Sequence, residues 1–364
     1  MDFVNETKVE AGWTLGFEPD GRELLVIVIK ATYKIPEKGA EPVLAEEQVP
    51  LTEADEFTGE PGLTAVKYET DYAHRKPMCD VLLNGSAYAP EGRPISRVQV
   101  GLKVGAMTKS FNVIGNRYWE AGAVSIGPGY PGNFISMPIS YDNAFGGVDN
   151  FHQDESKHRT YVWNPVGTGY HEDLDGALVD GTPMPNTEQL NKAVKMPLNN
   201  YKPMAFGAMG RNFKSRYPLA GTYDRQWLDT QAPFWPDNFD YRYFQAAPPD
   251  QQIPYPVGGE EVILKNLMPN GSISFRLPFK SMLVLFIPYI GKEYLVDAMI
   301  DTLLFEPDKK QFVMTWRISY PLRRNCFELK QVIAGELSKR WHDARRFGDK
   351  PYYKNLAELV KARK

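Results

Sequence analysis

Apolar and polar residues alternate along three stretches of the chain: Arg97–Val104, Ser272–Leu277 and Phe312–Tyr320. A period of two is typical of a strand that buries one face and leaves the other in water, as strands of antiparallel sheets often do. A fourth stretch, Leu24–Ile29, is apolar at every position and rich in β-branched residues. This pattern predicts a central strand that is covered on both faces.

The segment between Tyr141 and Pro256 has almost no sustained periodicity. It is dense in Pro, Gly, Asn, Asp and aromatic residues, which favour turns and loops. Loops of this length are uncommon in compact domains unless they are functional, and the aromatic content is too high for a disordered linker. We therefore predict an ordered, wrapped coil. One short helix is predicted inside it, with Asn186 as its N-cap and Leu190 and Val194 on one face.

A second helix is predicted near the end of the sequence. Pro351 suits its first turn, and Leu356, Leu359 and Val360 have helical spacing. The predicted fold is mainly β: an antiparallel, sandwich-like body with a long ordered coil-rich insertion and short C-terminal helices. Four segments are predicted: a β-rich part at 1–140, the coil insertion at 141–256, a second β-rich part at 257–335 and a basic helical tail at 336–364.

Composition supports strands joined by many turns. The 364 residues include 30 Gly and 29 Pro, and 13% are aromatic. The 42 basic and 45 acidic residues give a net charge of −3, which disfavours a general nucleic-acid binder. Charge is uneven, because residues 323–364 hold 12 basic and 5 acidic residues (+7), which leaves −10 for residues 1–322.

Cysteine usage and apolar runs bear on the cellular compartment. Cys79 and Cys326 lie far apart in the sequence and form no C-x-x-C motif, which favours reduced thiols. The N-terminus is acidic, unlike a signal peptide, and the most apolar run, Met282–Ile287, is too short to span a bilayer. We expect a cytoplasmic protein without a membrane span.

Motifs for cofactors and metals are weak. Gly127–Gly132 matches G-x-G-x-x-G in form, but Pro128 and Pro131 remove backbone donors that a dinucleotide pyrophosphate needs. The five histidines form neither H-x-x-x-H nor H-E-x-x-H, so their spacing indicates no metal site. We therefore predict no cofactor, no metal and no catalytic residues.

One enzymatic alternative stays open at this point. Asp224, Asp237 and Asp240 lie among aromatic residues of the coil, and sugar-processing sites pair two carboxylates beside aromatic platforms. A carbohydrate hydrolase is therefore the competing hypothesis. The same aspartates could instead hold turns through their own side chains.

Several short segments in a fixed order carry a resemblance that extends over nearly all of the chain. They are Asp71–Pro77 (DYAHRKP), Asp80–Pro90 (DVLLNGSAYAP), Gly115–Trp119 (GNRYW), Met137–Asp149 (MPISYDNAFGGVD), Asn164–Gly169 (NPVGTG), Leu219–Trp227 (LAGTYDRQW), Asp240–Pro248 (DYRYFQAAP), Asp301–Pro307 (DTLLFEP) and Thr315–Arg317 (TWR). Together they resemble the bacterial family called domain of unknown function 2169 (DUF2169).

The resemblance implies an accessory protein of the type VI secretion system. It implies a cytoplasmic adaptor or chaperone that binds a toxic effector and helps to load it onto the VgrG/PAAR spike. It carries over no enzymatic activity. A structural component of the spike or sheath is a third possibility, which predicts self-assembly.

Aromatic and Arg side chains dominate binding energy at protein interfaces, and they guide the choice of candidate partner-binding residues. The candidates are Arg117, Trp119, Phe145, Gly146, Gly147, Asp149, Trp227, Asp237 and Tyr241. For the glycines, a turn with positive φ and no partner contact is the alternative. Strand addition at a sheet edge and a groove for a client helix are both open as binding modes.

Overall fold

The computed structural model describes residues 1–37, 40–123, 125–337, 341 and 360, and within them the chain is mainly β. The strands are β1 (Asp2–Asn5), β2 (Glu10–Phe17), β3 (Glu23–Lys34), β4 (Val43–Leu44), β5 (Glu56–Phe57), β6 (Val66–Tyr68), β7 (Cys79–Leu83), β8 (Gly85–Tyr88), β9 (Arg97–Val104), β10 (Met107–Ile114), β11 (Trp119–Ala121), β12 (Ile126–Pro128), β13 (Ser136–Ile139), β14 (Phe145–Gly146), β15 (Val148–Asp149), β16 (Arg159–Thr160), β17 (Thr168–Gly169), β18 (Thr187–Glu188), β19 (Gln252–Ile253), β20 (Glu261–Met268), β21 (Gly271–Arg276), β22 (Leu283–Pro288), β23 (Tyr294–Asp297), β24 (Met299–Glu306), β25 (Gln311–Pro321) and β26 (Leu329–Ala334).

Helices in the described residues are short. The α-helices whose bounds are described are α1 (Gly176–Val179) and α2 (Arg225–Thr230). Single 3-10 turns occur at Pro90–Gly92, Tyr141–Asn143, Glu155–Lys157, Tyr217–Ala220, Tyr241–Phe244, Pro249–Gln251, Pro307–Lys309 and Cys326–Glu328. None of the helices in this part of the chain is long and apolar enough to cross a bilayer.

The largest sheet has seven strands in the order β19-β7-β24-β25-β3-β2, with β4 added beside β3. The predicted strand at Leu24–Ile29 is confirmed as part of β3 and is buried on both faces. Leu25, Ile27 and Ile29 face the main core, whereas Leu24, Val26 and Val28 pack under Leu51 and Tyr72. β3 lies between β25 and the edge strand β2.

Two further sheets share the main core. A five-stranded sheet has the order β18-β10-β9-β20-β21, and a four-stranded sheet has the order β1-β26-β22-β23. Core residues such as Val100, Phe111, Val284 and Phe286 come from these sheets and pack in one cluster with the seven-stranded sheet. The strands predicted from alternation are confirmed as β9, β21 and β25. Most pairings are antiparallel, but β1–β26, β7–β24 and β14–β17 are parallel.

The coil between β13 and β20 is ordered by short two-stranded ladders, 3-10 turns and side-chain hydrogen bonds. The helix predicted from Asn186 onward is wrong. Thr187 and Glu188 form β18 against Val113 and Asn112 of β10. The buried Glu188 carboxylate also accepts the backbone N–H of Val194 (2.9 Å), so tertiary contacts override a weak local helix signal.

The segment boundaries predicted at 140, 256 and 335 stay a prediction, and the seven-stranded sheet combines strands from both sides of the coil. Most of the predicted C-terminal helix and basic tail lies outside the described residues; within 338–364 the structure describes Trp341 and Val360, both of which are helical.

One buried carboxylate joins the sheet to the coil. Asp80 on β7 is fully buried and accepts Lys76 Nζ (2.8 Å) and Gln245 Nε2 (2.6 Å). It also accepts the backbone N–H groups of Ala246 (2.9 Å) and Ala247 (3.1 Å). A buried charge is tolerated only when it is paired and hydrogen-bonded, and both oxygens of Asp80 are.

We expect Asp80→Asn to lower the free energy of unfolding by about 3–5 kcal/mol, because it leaves the buried Lys76 ammonium without its closest carboxylate. Urea unfolding followed by tryptophan fluorescence measures this. Asp229→Asn is the control, since it breaks an ion pair with Arg225 whose side chains are more than half exposed, and it should cost at most ~1 kcal/mol. Equal losses in the two variants would contradict the role assigned to Asp80.

Candidate protein-binding surface

Three large apolar side chains are exposed along one face of the edge strand β2. Trp13, Leu15 and Phe17 are 39%, 38% and 42% exposed, and they alternate with small residues. A period of two places all three on the same face of the strand. Single exposed apolar residues are ordinary, but a continuous apolar patch marks a candidate interaction site.

The small residues of β2 are required by what packs on its other face. A Cβ atom at Gly12 would lie 2.5 Å from the Tyr72 hydroxyl oxygen, and one at Gly16 would lie 2.5 Å from the His74 ring. Tyr72 and His74 therefore rest directly on the β2 backbone. Large side chains fit only on the opposite face, which holds the exposed stripe.

The stripe continues into the aromatic part of the coil. Phe17 and Phe234 form an edge-to-face pair with ring centroids 5.5 Å apart. The Trp235 indole N–H donates to the carbonyl oxygen of Phe17 (3.0 Å), and the Trp227 indole N–H donates to that of Phe234 (2.9 Å).

Beyond Trp227, the half-exposed Tyr223 packs edge-to-face against its ring at 4.7 Å. We call the resulting area the β2–coil surface and define it by six residues: Trp13, Leu15, Phe17, Tyr223, Trp227 and Phe234.

An ion pair fixes the coil beside the turn that follows β2. Arg75 Nη2 lies 2.7 Å from a Glu18 carboxylate oxygen, and the Tyr241 hydroxyl donates to the same carboxylate. The Arg75 guanidinium also lies 5.0 Å from the centre of the Tyr241 ring. Burial and the hydrogen bond to Glu18 raise the pKa of Tyr241, so its hydroxyl stays protonated and donates.

His74 lies between β2 and the aromatic coil. Its ring centroid is 5.5 Å from that of Trp235 and 5.2 Å from that of Phe244. The buried Nδ1 atom makes no hydrogen bond with any described residue. Burial, and secondarily the charge of Arg317, lower the pKa of His74, so this position favours the neutral ring.

Three of the residues predicted to bind a partner lie in or near the β2–coil surface. Trp227 is half-buried within it, and Tyr241 lies beside it with its hydroxyl on Glu18. Asp237 is exposed and accepts the side-chain amide of Gln231 (2.7 Å).

The other six predicted residues belong to a separate region, where residues 117–121 pack against the coil. Trp119 is fully buried, and its indole N–H donates to the carbonyl oxygen of Gly169 (3.0 Å). Phe145 is buried in the same cluster, against Tyr161 and Tyr201. The structure therefore places these two aromatic side chains in a small core that β11 and β12 share with the coil.

Arg117 and Asp149 are also buried. Arg117 pairs with the Glu188 carboxylate (3.0 Å), and Asp149 accepts the backbone N–H groups of Glu172 and Asp173, both at 2.8 Å. These bonds satisfy polar groups inside the coil.

Gly146 and Gly147 pass close to neighbouring backbone. Their φ angles are 155° and 104°, in a region that favours glycine. A Cβ at Gly146 would lie 2.2 Å from the carbonyl oxygen of Asn164, and one at Gly147 would lie 2.5 Å from that of Gly167. The turn thus requires glycine at both positions.

Two of the three carboxylates of the hydrolase alternative hold turns. Asp224 caps α2 by accepting the N–H of Trp227 (2.9 Å). Asp240 caps the 3-10 turn that follows it and pairs with Arg242, which lowers the pKa of Asp240. None of these contacts, nor that of Asp237 with Gln231, favours the hydrolase hypothesis. Among the described residues, no group of three or more His, Cys, Asp or Glu side chains is placed to hold a metal ion.

Sequence reasoning missed the stripe on β2. Its signal is present, because Trp13, Leu15 and Phe17 alternate with Gly12, Thr14 and Gly16. The pattern predicts a strand with one apolar face, and such a face is normally expected to be buried. Its exposure follows from the edge position of β2, which the sequence pattern does not reveal.

Trp119→Ala should lower the free energy of unfolding by about 3–5 kcal/mol, because it opens a cavity in the small core of the coil and leaves the Gly169 carbonyl without its donor. Tyr118→Ala is the matched control, since Tyr118 is 51% exposed, and it should change stability by about 0.5 kcal/mol. Chemical denaturation of both variants measures the difference. A stable Trp119→Ala protein would show that Trp119 does not support this core.

Stability should fall as the pH drops below about 6.5, the pKa of an unfolded-state histidine. Because the pKa of His74 is lowered in the folded protein, the unfolded chain binds more protons in this range and is favoured by acidification. His171, whose pKa burial also lowers, contributes in the same direction.

His74→Gln should therefore weaken the pH dependence of the urea midpoint. An unaltered slope in His74→Gln would contradict the assignment of a neutral, buried ring.

Comparison with known proteins gives a match at the level of a family. Neither a curated protein nor a solved structure matches the chain. The family model described as an uncharacterized protein conserved in bacteria, DUF2169, matches residues 20–317. This range includes most of the three sheets and the whole aromatic coil, in agreement with the ordered segments identified in the sequence. The chain therefore belongs to the DUF2169 family.

Proposed function

We propose that this protein is a cytoplasmic, non-enzymatic adaptor that binds a type VI secretion effector and helps to load it onto the VgrG/PAAR spike. The observation that carries the proposal is the exposed apolar β2–coil surface. An adaptor needs a surface of this kind, because apolar and aromatic side chains supply most of the binding energy between proteins.

Preorganisation of the surface supports the proposal. Glu18, Arg75 and Tyr241 fix the coil beside β2, and the Trp235 indole is bonded to the Phe17 backbone. A surface that is already ordered loses little conformational entropy when a partner binds. Such a surface is suited to holding a client protein without changing it chemically.

Charge distribution supports a cationic client. Residues 1–322 carry a net charge of −10, which attracts a basic toxin or a basic segment of one. The resemblance to type VI accessory proteins supplies the secretion context, and the apolar surface and the charge supply the physical means of binding.

Deletion of the gene in its bacterial host should remove one effector from the secreted proteins, because that effector is no longer loaded. Other effectors should still be secreted, since an adaptor serves its own client and not the assembly as a whole. Quantitative mass spectrometry of culture supernatants measures this. Loss of all type VI secretion would instead indicate a structural component, and an unchanged set of secreted proteins would contradict the proposal.

Complementation with variants tests the surface itself. Trp13→Ser combined with Leu15→Ser should not restore secretion of the client. The control is Leu63→Ser combined with Tyr130→Ser, which removes two exposed apolar side chains outside the β2–coil surface and should restore it. Thermal unfolding of the purified variants verifies that both are folded.

A further inference from the structure

The open edge of β2 has a defined hydrogen-bonding pattern. β2 pairs antiparallel with β3, and the Glu18 N–H donates to the Arg22 carbonyl oxygen (2.8 Å) at the turn between them. Hydrogen-bonded and non-hydrogen-bonded pairs alternate along an antiparallel ladder. The backbone of Thr14 and Gly16 therefore bonds to β3, whereas the N–H and C=O groups of Trp13, Leu15 and Phe17 point away from the sheet.

Most of these outward groups have no partner in the part of the chain that the structure describes. β2 pairs with no strand other than β3 there. The N–H groups of Trp13, Leu15 and Phe17 make no hydrogen bond with a described residue, and only the Phe17 carbonyl accepts one, from Trp235. Trp235 thus occupies one acceptor at the end of the edge and leaves the three N–H groups without a described partner.

We propose that this edge receives an extended segment of a partner protein as an additional β-strand, with apolar side chains facing the stripe and basic side chains among the rest. The proposal rests on the adaptor function and names the chemistry of its client. Strand addition uses main-chain hydrogen bonds for affinity and alternate side chains for specificity.

The stripe determines which side chains the added strand needs. Trp13 lies opposite Ile27 and Leu15 opposite Leu25, and both β3 residues are buried in the main core. Residues opposite each other on paired strands lie on the same face of the sheet. Trp13 and Leu15 therefore continue the apolar face that Ile27 and Leu25 bury in the main core. A strand about 4.8 Å further out would place alternate apolar side chains against Trp13 and Leu15.

Charge selects a basic segment over a second copy of this chain. Residues 1–23 hold six acidic and two basic side chains, and together with Arg75, which pairs with Glu18, they carry a net charge of −3. Two copies paired through β2 would bring like charges together, which is unfavourable, whereas lysine or arginine on an added strand is attracted.

Hydrogen exchange read at single residues tests the proposal with a synthetic probe. The probe is a peptide of about ten residues in which valines alternate with lysines and threonines, long enough to cover the edge. At millimolar peptide, exchange of the Trp13, Leu15 and Phe17 amides should slow by about tenfold, because each gains a hydrogen bond. The Thr14 and Gly16 amides are internal controls and should not change, since they are already bonded to β3.

Two control peptides separate backbone from charge. A peptide with two valines replaced by proline should give no protection, because proline lacks the N–H that a strand ladder needs. A peptide with glutamates in place of lysines should bind more weakly than the probe.

Protein variants give a second test of the same edge. Leu15→Pro removes one outward N–H without breaking the ladder to β3, and it should weaken peptide binding about fivefold or more. Leu15→Thr keeps that N–H and should lose less. The peptide controls keep the test valid if Leu15→Pro does not fold.

Four results would overturn strand addition. In the first, the amides of Trp13, Leu15 and Phe17 already exchange as slowly in the free protein as those of Thr14 and Gly16. In the second and third, millimolar peptide gives no protection, or it protects only other strands. In the fourth, β2 becomes protected as the protein concentration rises without peptide, which would indicate pairing with a second copy. Effector secretion is measured independently. Its loss on deletion, together with failed peptide binding, would retain the adaptor function and reject only this binding mode. Peptide binding at β2 together with unchanged effector secretion after gene deletion would retain the binding edge and reject the adaptor function.

Discussion

The structure depends on a charge that is buried where the sheet meets the coil. Asp80 on β7 is removed from water, and it is compensated by the Lys76 ammonium, the Gln245 amide and two backbone N–H groups of the coil. The short ladders of the coil pair only a few of its residues, so other buried N–H groups need side-chain acceptors. The Asp80 carboxylate therefore supplies acceptors for two buried N–H groups of the coil and fixes the position of the coil on the sheet.

The same face of the seven-stranded sheet carries further buried ion pairs. Lys30 on β3 bonds to Asp71 (2.7 Å), and Arg317 on β25 bonds to Asp301. Arg216 in the coil bonds to Glu69 and to the Tyr243 carbonyl oxygen. Breaking a buried pair is costly because it leaves an isolated charge. Of these pairs, the one made by Arg216 joins the coil to Glu69 and holds the backbone of Tyr243 in the aromatic segment.

The β2–coil surface thus arises from two constraints that act on opposite faces of one strand. Tyr72 and His74 leave no room for side chains at Gly12 and Gly16, so the large residues of β2 lie on the other face. The edge position of β2 leaves that face exposed. β2 precedes residue 20, where the match to the DUF2169 family begins, so the stripe lies outside the matched range. The aromatic coil that completes the surface lies within it.

The sequence alone determined the strands whose side chains alternate or are uniformly apolar, the ordered character of the coil and the family. Side-chain period reports local backbone geometry, and motif order reports ancestry. Only the tertiary structure decided which residues are exposed, because burial depends on partners that are distant in the chain. Trp119 is buried and donates to the carbonyl oxygen of Gly169. Glu188 is a buried acceptor for Arg117 and is not part of a helix. The apolar face of β2 was readable as a pattern, but its exposure follows from the absence of a second neighbouring strand among the described residues.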